Sequence, residues 1–170
     1  MMSITWVQYA WKLAGLPAKA PELDARYLIE SATLENLVAL QAVVTSSLAL
    51  EPFWGREQEA RLKLSEEIIH TAFPAGEVTF IVIKHGARII AATAIRDAAE
   101  QLSNLPLGVC VLNEYRCRGL GTVLLYEGLR RLRDRGLDHA RLVTKKGLPA
   151  ERYLYPKFGS TRVVLTSVPA

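Results

Sequence analysis

Cysteine is scarce in this chain of 170 residues: Cys110 and Cys117 are the only two. They stand seven residues apart, and no second Cys or His pair lies at metal-ligand spacing, so neither a disulfide framework nor a zinc site is expected. A reducing compartment follows as the expectation. Long apolar runs are lacking too. Lys, Arg, Asp or Glu breaks every hydrophobic stretch before it reaches membrane-spanning length, so no membrane span is expected. The first apolar segment, Ile4 to Ala14, has no basic residue before it and contains Gln8 and Lys12, unlike a secretory signal. These absences point to a cytoplasmic protein. No internal repeat or low-complexity tract is present.

The composition is 50% hydrophobic and 22% charged, which fits a compact domain. A chain of this size buries roughly 70% of its unfolded surface and needs no staples. The net charge of +4 hides an asymmetry. Residues 1–100 carry nine Lys/Arg and twelve Asp/Glu, whereas residues 101–170 carry twelve and five, giving −3 and +7. The basic C-terminal part is suited to an anionic ligand.

Periodicity predicts a short amphipathic helix over Ser3 to Ala14, with Ile4, Val7, Trp11 and Ala14 on one face and Leu13 pointing away. It would pack on its own domain or on a second copy in a homodimer, and its aromatics would also suit a membrane surface. Residues 1–24 are therefore read as an N-terminal extension and residues 25–170 as the main domain. Within that domain a strand is expected at Arg26–Glu30, followed by a helix capped by Thr33 and a second helix at Glu57–Ala72. Two strands at Val78–Lys84 and Ala87–Ile95 flank His85-Gly86, the length of a tight hairpin turn. Leu107–Leu112, Thr122–Arg135 and His139–Lys145 read as strand, helix and strand, a crossover unit. A short helix near Pro149–Leu154 and a strand at Thr161–Val168 end the series.

Arg116-Cys117-Arg118-Gly119-Leu120-Gly121 lies between a predicted strand and a predicted helix. Such a turn points free N–H groups outward at the positive end of the helix, and glycine lets an anion approach them. Arg116 and Arg118 add charge, so a diphosphate is the natural occupant. A Walker loop does not fit, because Thr122-Val123 follows Gly121 where Lys-Ser/Thr is needed. A dinucleotide fingerprint lacks its third glycine.

The segment Val111-x-Asn113-x-Tyr115-Arg116-x-x-Gly119-x-Gly121 resembles the acetyl-CoA-binding motif of the GNAT superfamily of N-acyltransferases. Tyr155-Pro156-Lys157-Phe158-Gly159 is similar to a second stretch of that family, and the order of elements from Arg26 onward matches as well. The resemblance implies an α/β fold: a mixed, largely antiparallel sheet, splayed, with one parallel β-α-β crossover and helices on both faces. Compared with that pattern, the chain ends one strand early. It further implies acetyl-CoA as cosubstrate, with no metal. The pyrophosphate would sit at Arg116, Cys117, Arg118, Gly119, Leu120, Gly121 and Thr122, and the pantetheine arm along the backbone of Val109, Cys110 and Val111.

The implied reaction is direct attack of an unknown amine on the thioester. Tyr155 matches the position that reprotonates sulfur in this family. Pro156 places it at a helix end rather than inside one, and Tyr153 is the alternative. Asp97, Glu100 and Glu114 are the carboxylates expected near the cleft, and relayed water could serve as base instead. His70, His85 and His139 show no catalytic spacing. Two other readings fit the sequence: a CoA-binding module without catalysis, and nucleic-acid binding through Arg130, Arg131, Arg133 and Arg135, which surround their helix rather than forming a stripe.

Overall fold

The computed structural model describes residues 5–97 and 103–166. Its strands form two sheets. The first runs in the order β2 (Tyr27–Ser31), β3 (Thr79–His85), β4 (Arg88–Ile95) and β5 (Val109–Val111), each antiparallel to its neighbour. The second has β1 (Trp6–Lys12) between β6 (His139–Lys145) and β7 (Thr161–Val164), antiparallel to both. Helices α1 (Leu37–Ala49), α2 (Gln58–Glu67), α3 (Leu120–Asp134) and α4 (Pro149–Tyr153) complete the fold. Among the described residues no single helix is long and apolar enough to cross a membrane.

Ile81, Val82 and Ile83 are all fully buried, as are Ile90, Ala91 and Ala92. Successive strand residues point to opposite faces, so a run of this kind means that both faces of the sheet are covered. Helix α3 covers the face carrying Thr93 and Ile95, with Gly128 set close against both. The β3–β4 hairpin turns through Gly86 at φ +63°, as the His-Gly pair predicts.

The N-terminal segment corrects the helical expectation. Trp6–Lys12 is a strand; Ser3 and Ile4 lie outside the described residues. Val7, Tyr9 and Trp11 are buried and alternate with the more exposed Trp6, Gln8, Ala10 and Lys12, a period of two rather than 3.6. Val7 and Trp11, four apart, satisfy both periods; Tyr9 between them decides for the strand, as does the segment's aromatic and β-branched content. Leu13, expected to point away from the apolar face, is buried, and its N–H donates to the carbonyl of Asp138. The C-terminal strand ends at Val164, and residues 167–170 lie outside the described residues. Thus β1 supplies the middle of the second sheet from the opposite end of the chain.

Asn104 links the two sheets, which part beyond it. Asn104, buried, donates its N–H to the carbonyl of Arg141 at 2.7 Å, and its Oδ1 accepts the N–H of Arg141 at 2.9 Å. Its amide nitrogen reaches the carbonyl of Arg96 at 3.0 Å, and its own carbonyl accepts from the N–H of Arg96 at 2.9 Å. Asn104 therefore ties the end of β4 to the middle of β6. Farther along, β5 and β6 do not pair with each other, and a cleft opens between them.

Candidate active site

The cleft encloses about 330 Å³, walled by β5 on one side and by Leu142, Val143 and Thr144 of β6 on the other. The backbone of β5 faces it selectively. Leu112 donates its N–H to the carbonyl of Ile90 on β4, and alternate residues of a strand share a side, so Cys110 also turns its backbone toward β4. The N–H groups of Val109 and Val111 point the other way, into the cleft. Of the three residues expected to meet a pantetheine arm, Val109 and Val111 thus offer backbone groups and Cys110 does not. Burial pushes the Cys110 thiol up to about 11, so it stays protonated and packs as an apolar group.

At the mouth, Gly119 begins α3 at φ +77° with no side-chain cap. A helix leaves its first four N–H groups unpaired, and here no side chain competes for them. A Cβ on Gly119 would project into open space, whereas one on Gly121 would press on Leu154 at 3.3 Å and Val109 at 3.6 Å. The two glycines do different work: Gly119 permits the left-handed turn, and Gly121 lets α3 start close against β5. Arg116, Cys117, Gly119, Leu120, Gly121 and Thr122 all line the cleft. Arg118 does not. Its guanidinium donates to the Tyr27 hydroxyl at 3.2 Å and lies 5.0 Å from the Tyr115 ring centroid.

Tyr155 sits deeper, two residues past the end of α4 and only 3% exposed. Its hydroxyl oxygen accepts the N–H of Val109 at 3.2 Å. Gly108, at φ +64°, makes room for it: a Cβ there would run into the hydroxyl. Thr93 steadies the same turn by donating to the carbonyl of Gly108 at 2.7 Å. Burial pushes the phenol up to about 12, with the Val109 bond pulling the other way. Tyr153, the alternative acid, is 73% exposed.

The third wall comes from the α1–α2 connection and the first turn of α2. Glu51, Trp54 and Arg61 all line the cleft. Glu51 is buried; one carboxylate oxygen accepts the Phe53 N–H, and the other meets the Arg116 guanidinium at 3.3 Å. Gln58 donates to the carbonyls of Leu48 and Ala49, ending α1. Lys145 on β6 donates to the carbonyls of Phe53 and Trp54, fixing the loop across the cleft.

The two expected carboxylates among the described residues do not line the cleft. Asp97 is exposed, Glu114 is an exposed partner of Arg88 at 3.0 Å, and Glu100 lies outside the described residues. The arginines at the end of α3 are engaged locally: Arg130 with Glu127 and Asp134, Arg131 with Glu127, Arg133 with Asp134, and Arg135 with the Thr79 hydroxyl. They present no free basic stripe for nucleic acid.

A model of the GNAT acetyltransferase family matches residues 43–159. Among solved structures, a GCN5-related N-acetyltransferase from Sphaerobacter thermophilus is 18% identical, with 96% of this chain and 51% of that one covered at a TM-score of 0.67. The PaiA N-acetyltransferase of Thermoplasma acidophilum, in complex with coenzyme A, is 17% identical over 65% of this chain and 74% of that one, TM-score 0.52. A GNAT acetyltransferase from Brucella melitensis, in complex with acetyl-CoA, is 21% identical over 65% and 70%, TM-score 0.51. The chain spans about half the length of several of the structures it matches. No curated protein sequence matches it.

Proposed function

The chain belongs to the GNAT family of acetyltransferases, and from that premise we propose that it is an acyl-CoA-dependent N-acyltransferase, passing acetyl from acetyl-CoA to an amine by direct attack. The observation that carries this reading is one continuous cleft with uncapped helix amides at its mouth and a buried phenol farther in. Unpaired amides at a helix N-terminus suit a diphosphate. The outward amide of Val111 suits a pantetheine carbonyl or the developing oxyanion, because that of Val109 is already engaged by Tyr155.

In the reaction the amine nitrogen attacks the thioester carbonyl, a C–N bond forms and the C–S bond breaks. The nitrogen loses one proton and the departing sulfur gains one. Tyr155, protonated throughout the neutral range, donates to sulfur, and the Val109 N–H bound to its oxygen stabilises the phenolate left behind. Glu51, the one carboxylate lining the cleft among the described residues, takes the proton from nitrogen. Arg116 meanwhile has two anions within its reach in this arrangement, Glu51 and the diphosphate.

Calorimetry with acetyl-CoA and a thiol assay for amine-dependent CoA release test the proposal. Binding together with release is the expected result. Binding without release across a broad amine panel supports a non-catalytic CoA module instead, and absence of binding overturns both.

A further inference from the structure

Arg61 is the charged group of the cleft that acetyl transfer leaves unused. It projects from α2 into the lining shared with Tyr155 and Cys110. Its guanidinium carbon stands 4.5 Å from the Trp54 ring centroid, and its Nε is shut off from solvent without a hydrogen-bond partner. No ion pair reaches it among the described residues, since Glu51 is already held by Arg116. A ring face attracts the cation but accepts none of its N–H bonds in the guanidinium plane.

Holding the Nε of a cation out of water with no acceptor is unfavourable, and the guanidinium cannot escape the cost by deprotonating. Burial does lower its pKa, and the group remains charged at any physiological pH. Among the described residues the Trp54 ring is its one compensating group and no anion reaches it, so a matching anion has to come from outside. A planar fork of donors matches a carboxylate, and with Arg116 paired, a single open cation matches a single negative charge.

We propose that Arg61 is the receptor for a substrate carboxylate beside the reacting centre. The proposal rests on the acyl-transfer reading above and adds the substrate class. Two substrates can carry such a group: an acceptor that is a small amino acid, or a donor whose acyl chain ends in a carboxylate. In the first case the amine points toward Tyr155 and the carboxylate toward α2. The acceptor is small, because a cleft of about 330 Å³ must also admit the end of the pantetheine arm.

The test uses the full chain, with acetyl-CoA and succinyl-CoA as donors. Acceptors are glycine, β-alanine and glutamate, each beside its amide and its decarboxylated amine. CoA release is followed by a thiol reagent, and calorimetry records donor binding separately. An acceptor carboxylate predicts turnover of the acids well above the amides. Arg61→Met then raises KM for the acid by about 10- to 100-fold, the range of a hydrogen bond to a charged group, with acetyl-CoA affinity unchanged. A donor carboxylate predicts instead that succinyl-CoA outperforms acetyl-CoA with neutral amines and that Arg61→Met removes the difference. Arg61→Lys restores part of either preference, and Arg61→Met melts no lower than the parent because it removes an unpaired cation. Rates insensitive to both carboxylates, a melting loss in Arg61→Met that explains its kinetics, or binding of a donor without turnover of any carboxylate-bearing pair overturns the assignment. Failure of both donors to bind removes the acyl-transfer reading itself, a separate outcome.

Discussion

The Tyr155 hydroxyl oxygen accepts the backbone N–H of Val109 at 3.2 Å, joining the segment after α4 to the first residue of β5. With its oxygen used as an acceptor there, the hydroxyl proton is left to be donated elsewhere. The same bond fixes the phenol at the cleft and removes one strand amide from the set available to a ligand. A structural contact and a proposed acid are therefore the same group, and substitution must separate the two.

Tyr155→Phe keeps the ring and deletes the proton donor. Turnover should fall by about 10²- to 10⁴-fold, the usual contribution of general acid catalysis. Acetyl-CoA affinity should change little. Stability should drop by about 1–3 kcal/mol at most, since the Val109 N–H loses its partner at a half-buried position. Steady-state kinetics beside calorimetry check this, and unchanged turnover would remove Tyr155 from the mechanism.

Gly108→Ala should act through the same phenol. Alanine at φ +64° costs about 1–2 kcal/mol by itself, and its Cβ collides with the Tyr155 hydroxyl. In a Tyr155→Phe background the collision is relieved while the backbone strain persists. Denaturation of the two single variants and the double variant should therefore give a coupling of about 0.5–3 kcal/mol. Strict additivity would mean that the glycine answers to backbone conformation alone.

The order of elements from residue 26 onward was legible in the sequence because each signal is local: a hairpin turn at Gly86, a helix stop at Gly136 and a strand-to-helix turn at Gly119; the parallel pairing expected of the crossover is not formed, since β5 and β6 belong to different sheets. The turn at Arg116–Thr122 was legible for the same reason, its donors being contiguous. Strand β1 was not, because Val7 and Trp11 satisfy both periods and its partners lie some 130 residues or more away in β6 and β7. The convergence of Glu51 and Arg61 with Trp54 on one wall was also hidden. These residues converge only because the chain kinks at Gly55, at φ 54° and ψ −123°, and because Lys145 holds the loop from β6. Arg118 illustrates the converse: it belongs to the motif by sequence, yet Tyr27 and Tyr115, far away in the chain or on the preceding turn, draw it out of the cleft.

Gly119→Glu should abolish measurable acetyl-CoA binding. Its carboxylate would stand at the open amides and repel a diphosphate, and the left-handed backbone disfavours any side chain. A loss of roughly 100-fold or more, equivalent to about 2.7 kcal/mol, is expected in calorimetry. Gly119→Asn, which tolerates that backbone conformation, should fold normally and retain much more affinity. Equal binding by all three proteins would move the diphosphate away from this turn.

Glu51→Gln separates the proposed base from the proposed coenzyme ligand. It removes the anion that Arg116 contacts at 3.3 Å, so acetyl-CoA should bind as tightly as before or a few-fold tighter. Turnover should fall by about 10²-fold or more if Glu51 accepts the amine proton. A variant with weaker coenzyme binding and unchanged turnover would instead make Glu51 an organiser of Arg116.

Glu151 gives the N-terminal strand a pH-dependent clamp. One carboxylate oxygen accepts from the Tyr9 hydroxyl at 2.8 Å and from Arg162 Nε at 2.9 Å; the other accepts the Gly147 N–H at 3.2 Å. Burial alone would raise the pKa of this carboxyl, but the bonds from Arg162, Tyr9 and Gly147 outweigh it and hold the group below the ordinary range. Tyr9 responds in the opposite sense, pushed up to about 12 by burial and by its bond to Glu151. Because the carboxyl binds protons less readily folded than unfolded, its stabilisation is complete above the unfolded value of about 4.3 and is lost as pH falls through the lower folded value. Glu151→Gln should therefore cost about 1–3 kcal/mol near neutral pH, and the difference should shrink as pH falls through the depressed value of the folded carboxyl. Urea unfolding of both proteins across that range should give curves that converge in acid. Parallel curves would mean that β1 is held by its ladders and by Trp11 rather than by this charge.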